Sequence, residues 1–187
     1  AGGHASSFAV ERFVELIEES DQTDPIELMK ACIATVNQEM IVKSNENEEY
    51  AGMGTTFVAA TVSDHKVTVM NIGDSRLYYG NKELKQITVD HSYVEELINA
   101  GMLDREQGRL HPKKNVITRA LGSQAATPDF FEFEAQEGYL LLCSDGLSNM
   151  ISDEELKELL LDHDQIANKT NQMIARANEY GGKDNIS

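Results

Sequence analysis

The sequence predicts one α/β domain: a sandwich of antiparallel strands with helices as its outer layers. Three observations carry this. Apolar residues recur at helical spacing at both ends of the 187-residue chain, and the middle turns to β-branched runs. The connections between the first strands are two to four residues long, too short to hold the crossover helix that a parallel sheet requires.

In order, Ala9, Phe13, Leu16 and Ile17 place one apolar stripe on a helix from about 5 to 20. Asp24-Pro25-Ile26-Glu27 is a helix start, with an acceptor at the cap and Pro at the first helical position. Met29, Cys32, Ile33, Val36 and Met40 then form the buried face of a second helix, and 45–49 is polar loop. Strands follow at 55–62 and 67–72, joined by a turn at 63–66. Gly73-Asp74-Ser75 and Gly80-Asn81-Lys82 read as tight turns into 77–79 and 84–88, so that the whole forms a meander. Residues 89–115 carry short helical pieces and few large apolar residues, an excursion from the sheet. Further strands are expected at 116–120, 130–133 and 139–143, the last a continuous apolar run of the kind buried on both faces. Ser152-Asp153-Glu154-Glu155 is a capping box before Leu156, Leu159 and Leu160, and Ile166, Met173, Ile174 and Ala177 mark the final helix.

Sixteen Lys+Arg stand against 32 Asp+Glu, a net charge of −16. That argues against a nucleic-acid binder, which needs a basic face, and against docking on anionic lipid. No apolar stretch approaches the ~20 residues of a membrane span. The two cysteines, Cys32 and Cys143, lie far apart in apolar runs and read as buried thiols of a reducing compartment.

Three acids share one pattern. Asp74 in Gly73-Asp74-Ser75-Arg76, Asp145 in Ser144-Asp145-Gly146 and Asp184 in Gly182-Lys183-Asp184-Asn185 each stand beside Gly or Ser at an expected strand end, the last where a strand would begin at Ile186. Each alone fits an ordinary turn that caps its own backbone. Together they offer the oxygen ligands that Mg²⁺ and Mn²⁺ prefer. No His pair has zinc-like spacing, and no Gly-x-Ser-x-Gly elbow supports a nucleophilic serine. Gly2-Gly3-His4 is read as a loop whose histidine, if it faces a metal, could donate a proton.

Six motifs, in this order, resemble the metal-dependent Ser/Thr protein phosphatases of type 2C (the PPM family), most closely its bacterial branch. They are Gly2-Gly3-His4, Gly52-Met53-Gly54-Thr55-Thr56, Asn71-Ile72-Gly73-Asp74-Ser75-Arg76, Ile117-Thr118-Arg119-Ala120-Leu121-Gly122, Leu142-Cys143-Ser144-Asp145-Gly146-Leu147 and Gly181-Gly182-Lys183-Asp184-Asn185. The resemblance implies a four-layer αββα sandwich, two antiparallel sheets flanked by helix pairs. It implies a binuclear Mn²⁺/Mg²⁺ centre with Asp145 and Asp184 as ligands, Asp74 on a weaker third ion and His4 as general acid. The attacking group would be a metal-activated water, and 89–115 would be a flap that influences substrate access. It further implies a cytoplasmic monomer acting on phosphorylated Ser/Thr proteins, a cognate Ser/Thr kinase among them, and no dealings with nucleic acid or membrane.

The chain departs from the family pattern at its start. The Asp-Gly that precedes Gly-Gly-His in the family, whose Asp bridges both metals, has no counterpart here, nor has an upstream phosphate-clamping Arg. Residues 1–187 are accordingly expected to be one catalytic domain lacking its N-terminal strand and C-terminal end. Two functions stay open at this level: a phosphatase, and a catalytically inactive relative that serves as a regulatory or binding module.

Overall fold

The computed structural model describes residues 2–187. Two long helices come first, α1 (Gly2–Glu19) and α2 (Pro25–Glu46). Asp24 caps α2 by accepting the Glu27 N–H at 2.9 Å, with Pro25 at the first helical position. Arg12 of α1 ties the pair by a two-nitrogen grip on the Glu39 carboxylate at 2.9–3.2 Å.

The strands β1 (Phe57–Ser63), β2 (Lys66–Ile72), β3 (Arg76–Gly80), β4 (Leu84–Gln86), β5 (Asp129–Glu134) and β6 (Tyr139–Cys143) form two antiparallel sheets. One has the order β1-β2-β5 and the other β4-β3-β6. Between β4 and β5 the chain carries two short helices, α3 (Tyr93–Asn99) and α4 (Arg105–Leu110), within the excursion expected at 89–115. After β6 come α5 (Asp145–Ser148), α6 (Asp153–Leu161) and α7 (Ile166–Glu179).

Strand alternation builds the layers. Along β2, Met70 and Ile72 pack with Ala9, Phe13, Ile33 and Val36 of α1 and α2. Its other face, Val67 and Val69, joins Phe131 and Phe133 of β5 against Leu77 and Leu140 of the second sheet. The far face of that sheet, through Tyr78, Leu141 and Cys143, packs on Leu147, Leu156, Leu160 and Met173. The result is helix pair, sheet, sheet, helix pair, the four-layer sandwich expected.

Five details differ from expectation. Gly73-Asp74-Ser75 is no hairpin turn: β2 and β3 do not pair, and the chain changes sheets there, so the meander is two hairpins in two sheets. Residues 116–120 are not a strand. Ile117 makes a single bridge to Ser92, and Val116 and Ile117 are both exposed, so no alternating buried face exists to hold a ladder. Ile186 opens no strand either; the segment is tied to Ser144, whose N–H donates to Ser187 O at 3.1 Å and whose Oγ donates to Asn185 O at 3.0 Å. Leu142 of β6 is 40% exposed, so that strand is not buried on both faces. Gly2-Gly3-His4 is the first turn of α1 rather than a loop, since no Pro or cap residue delays the helix before Ala5.

Candidate active site

Asp74 stands where the chain passes from one sheet to the other. The crossing needs Gly73, whose φ of +105° an L side chain rarely adopts and whose added Cβ would lie 2.4 Å from Thr56 Cγ2. The turn is held from three sides. Gly73 N–H donates to His91 Nδ1 at 3.0 Å, Asn71 Nδ2 donates to Gly73 O at 3.1 Å, and the Thr56 and Ser75 hydroxyls meet at 2.7 Å. His91 is buried, and the Gly73 bond assigns the proton to its Nε2, which donates to Asp129 Oδ2 at 2.8 Å. Asp129 also takes Arg119 Nη1 at 2.8 Å.

Asp145 is the first residue of α5, directly beyond the end of β6. Asp184 lies exposed in the turn after α7 and accepts the Asn185 N–H at 2.7 Å. Gly146 lets these two segments meet, because a Cβ there would come within 2.2 Å of Asn185 O.

The electrostatics link the three acids. Burial, then the Asp145 and Asp90 charges, push Asp74 up to about 6. Burial, then the Asp184 charge, raises Asp145 as well. Arg76 offsets this only in part, because its Nε and Nη2 grip Asp90 at 2.6–3.1 Å and its Nη1 donates to Tyr78 Oη at 2.9 Å. Tyr78 Oη in turn donates to Asp153 at 3.1 Å. Cys143, the cross-strand partner of Arg76, is pushed up to about 12 by burial and so holds no thiolate at neutral pH.

Asp74 and Asp145 line one groove of about 630 Å³, bounded also by α3, α4 and the start of α6. His4 and Asp184 are not among its lining residues. His4 is exposed on α1, edge-on to the Tyr50 ring with centroids 6.4 Å apart. Among the described residues no three His, Cys, Asp or Glu side chains converge closely enough to form a metal cluster. The donor chemistry nevertheless fits a hard divalent ion: three carboxylates, linked by mutual repulsion, with no neutral nitrogen or sulfur among them.

Sequence reading missed Asp90 and His91, which hold the scaffold under Asp74. The available signal was the Val89-Asp90-His91-Ser92 run, two ionisable residues just before the Ser92 cap of α3.

A sandwich of this order, with Asp74 at the crossing between the sheets and Asp145 in the same groove, belongs to a class: the protein phosphatases of the αββα type. The protein phosphatase 2C family model matches residues 1–187, and the chain belongs to that family. The serine/threonine phosphatase stp of Listeria monocytogenes is 39% identical over 194 residues, covering 100% of this chain and 77% of its own. The crystal structure of the serine/threonine phosphatase Stp1 from Staphylococcus aureus superposes with a TM-score of 0.94 at 34% identity, over 100% of this chain and 76% of that one. The catalytic domain of the serine threonine protein phosphatase PstP, solved in complex with two manganese ions, gives a TM-score of 0.87 at 30% identity, over 99% and 78%. The protein is thus a protein serine/threonine phosphatase of the 2C type.

Proposed function

We propose that Asp145 and Asp184 hold two Mn²⁺ or Mg²⁺ ions, that Asp74 serves a weaker third ion, and that phosphoserine and phosphothreonine of proteins are hydrolysed beside them. One observation carries the reading: Asp74 and Asp145 share one groove, and the Asp145 charge raises the proton affinity of Asp74. When bound, such ions neutralise phosphoryl charge and make water a stronger nucleophile. The chain's own residues supply the rest. Asp145 and Asp184 bring negative charge without a lysine or arginine partner, among the described residues. Arg76, committed to Asp90, leaves the Asp74 carboxylate available to a cation. We assign proton donation to the leaving oxygen to His4, which stands exposed at the start of α1.

Phosphopeptide hydrolysis with Mn²⁺ and then with excess chelator tests the metal reading. Turnover that needs the metal is expected, and full turnover in chelator refutes the metal reading. For His4, His4→Gln is expected to slow hydrolysis of phosphoserine far more than that of p-nitrophenyl phosphate, whose leaving group needs no proton, and equal slowing of both refutes the role.

We further read the protein as a cytoplasmic monomer that reverses the work of a Ser/Thr kinase, with that cognate kinase among its phosphoprotein substrates. The buried thiols Cys32 and Cys143, unbridged, support a reducing compartment. Among the described residues no helix is long and apolar enough to cross a membrane.

A further inference from the structure

The groove beside Asp74 and Asp145 carries a second charge pattern, of the opposite sign. Five of the chain's sixteen Lys+Arg fall within residues 105–119, where Glu106 is the one acid, on a protein of net charge −16. Three of the five are engaged. Arg105 makes two bonds of 2.7 and 2.9 Å to Glu95, Arg119 pairs with Asp129, and Lys113 Nζ lies over the Tyr93 ring at 5.2 Å. Arg109 and Lys114 both line the groove, and among the described residues neither side chain has a hydrogen-bond or ion-pair partner.

The acids that share the groove do not explain these two cations. Asp90 is held by Arg76, Glu95 by Arg105, and Asp153 accepts from Tyr78. A chain with 32 acids could pair two surface cations easily, yet these face a cavity instead. The lining is also partly apolar, with Val94, Ile98 and Met150. The flap that carries them is also braced. Gly108 packs so closely on α3 that a Cβ would sit 2.9 Å from Val94 and from Ile98, which fixes α4 and therefore Arg109. Such a channel suits a peptide that presents its phosphate at the aspartates and a separate carboxylate to α4 and the turn after it.

We infer that Arg109 and Lys114 are specificity-determining residues, which select phosphopeptides with Asp or Glu flanking the phosphorylated residue. The inference rests on the phosphatase reading and adds to it a class of substrate. Long-range attraction between exposed charges is modest and screened by salt, so the preference is a matter of several-fold, not of orders of magnitude.

The test uses the full chain with Mn²⁺ and two phosphothreonine peptides of equal length, one with Glu on both sides and one with Gln. The acidic peptide is expected to be favoured about three- to tenfold in kcat/KM at low salt, an advantage that shrinks in 0.5 M NaCl. Arg109→Gln combined with Lys114→Gln should bring the ratio near one, and Arg109→Glu should favour a Lys-flanked peptide, which mere loss of packing would not do. Anisotropy of the labelled acidic peptide supplies a reading that does not depend on turnover. An unchanged ratio in the double variant overturns the inference, even if both peptides slow together, since that outcome assigns the two cations to the phosphate itself. Failure of the parent protein to hydrolyse either peptide or p-nitrophenyl phosphate counts instead against the phosphatase reading, while the anisotropy ratio still decides the role of Arg109 and Lys114.

Discussion

Gly73→Ala tests whether the sheet crossing sets the position of Asp74. Two penalties are expected. The φ of +105° lies where an L residue is strained, at about 1–2 kcal/mol. The new Cβ would also meet Thr56 Cγ2 at 2.4 Å, Cβ at 2.7 Å and Cα at 3.2 Å. Rotating the Thr56 side chain cannot relieve this, because its Cβ and backbone are themselves in the way, and overpacking of this kind costs about 1–3 kcal/mol. The sum, about 2–5 kcal/mol, is large against a domain stability of about 5–15 kcal/mol but leaves a folded protein. Gly101→Ala is the control: its φ is +71° with no heavy atom within 4 Å, so it should lose only about 1 kcal/mol. Urea denaturation of both variants, with unchanged slope, isolates the packing part as the difference. Equal losses in the two variants would refute the account of the crossing.

The other expectations are briefer. Asp145→Asn and Asp184→Asn should each weaken Mn²⁺ binding at least about tenfold by calorimetry, with far-UV circular dichroism unchanged, because a ligand charge is lost. Unaltered binding in both would displace the metal centre. Asp74, raised by burial first and by neighbouring acids second, has a folded value of about 6 against an ordinary 3.8. Its contribution to stability is therefore complete below 3.8 and lost as pH rises through about 6. In chelator, Asp74→Asn should gain about 1–3 kcal/mol over the parent at pH 8 and much less at pH 4, and an equal difference at both refutes it. Lys169 is 2% exposed, donates to the carbonyls of Leu160 and Asp162, and lies 4.9 Å over the Tyr139 ring. Lys169→Met should destabilise by about 2 kcal/mol in urea, because the last carbonyls of α6 lose their donor; an unmoved midpoint would contradict this.

Much of this fold could be read along the chain because its signals are local. Asp24-Pro25 starts α2 and Ser152 caps α6 by accepting the Glu155 N–H, each decided within four residues. The turn at Gly73 was misjudged for an equally local reason: a glycine between strands serves a hairpin and a change of sheet alike, and only the partner strands tell them apart. Val116 and Ile117 have the composition of a strand but no sheet edge to join. At the site, the three acids were visible as strand-end motifs, whereas their support was not. Arg76 finds Asp90 fourteen residues on, Gly73 finds His91 eighteen residues on, and His91 finds Asp129 thirty-eight residues on. Periodicity carries no information about such pairings, and His4 shows the converse, a residue whose motif is plain while its surroundings are set by the helix that contains it.

The two sheets are stitched together twice by very short threads. Residues 73–75 join β2 to β3, and 135–138 join β5 to β6; because β5 runs antiparallel to β2, these seams lie at opposite ends of the sandwich. The second seam is as tight as the first, with Gly138 at φ +129° and only 2.3 Å between its would-be Cβ and Gly80 O. The spacing between the sheets is thereby clamped at both ends, and Asp74 stands within the first clamp. Length can vary where no seam is involved, as in the passage from β4 to β5 that carries α3 and α4. A descendant of this chain can therefore lengthen, shorten or recharge what surrounds its substrate without disturbing the seam that holds Asp74.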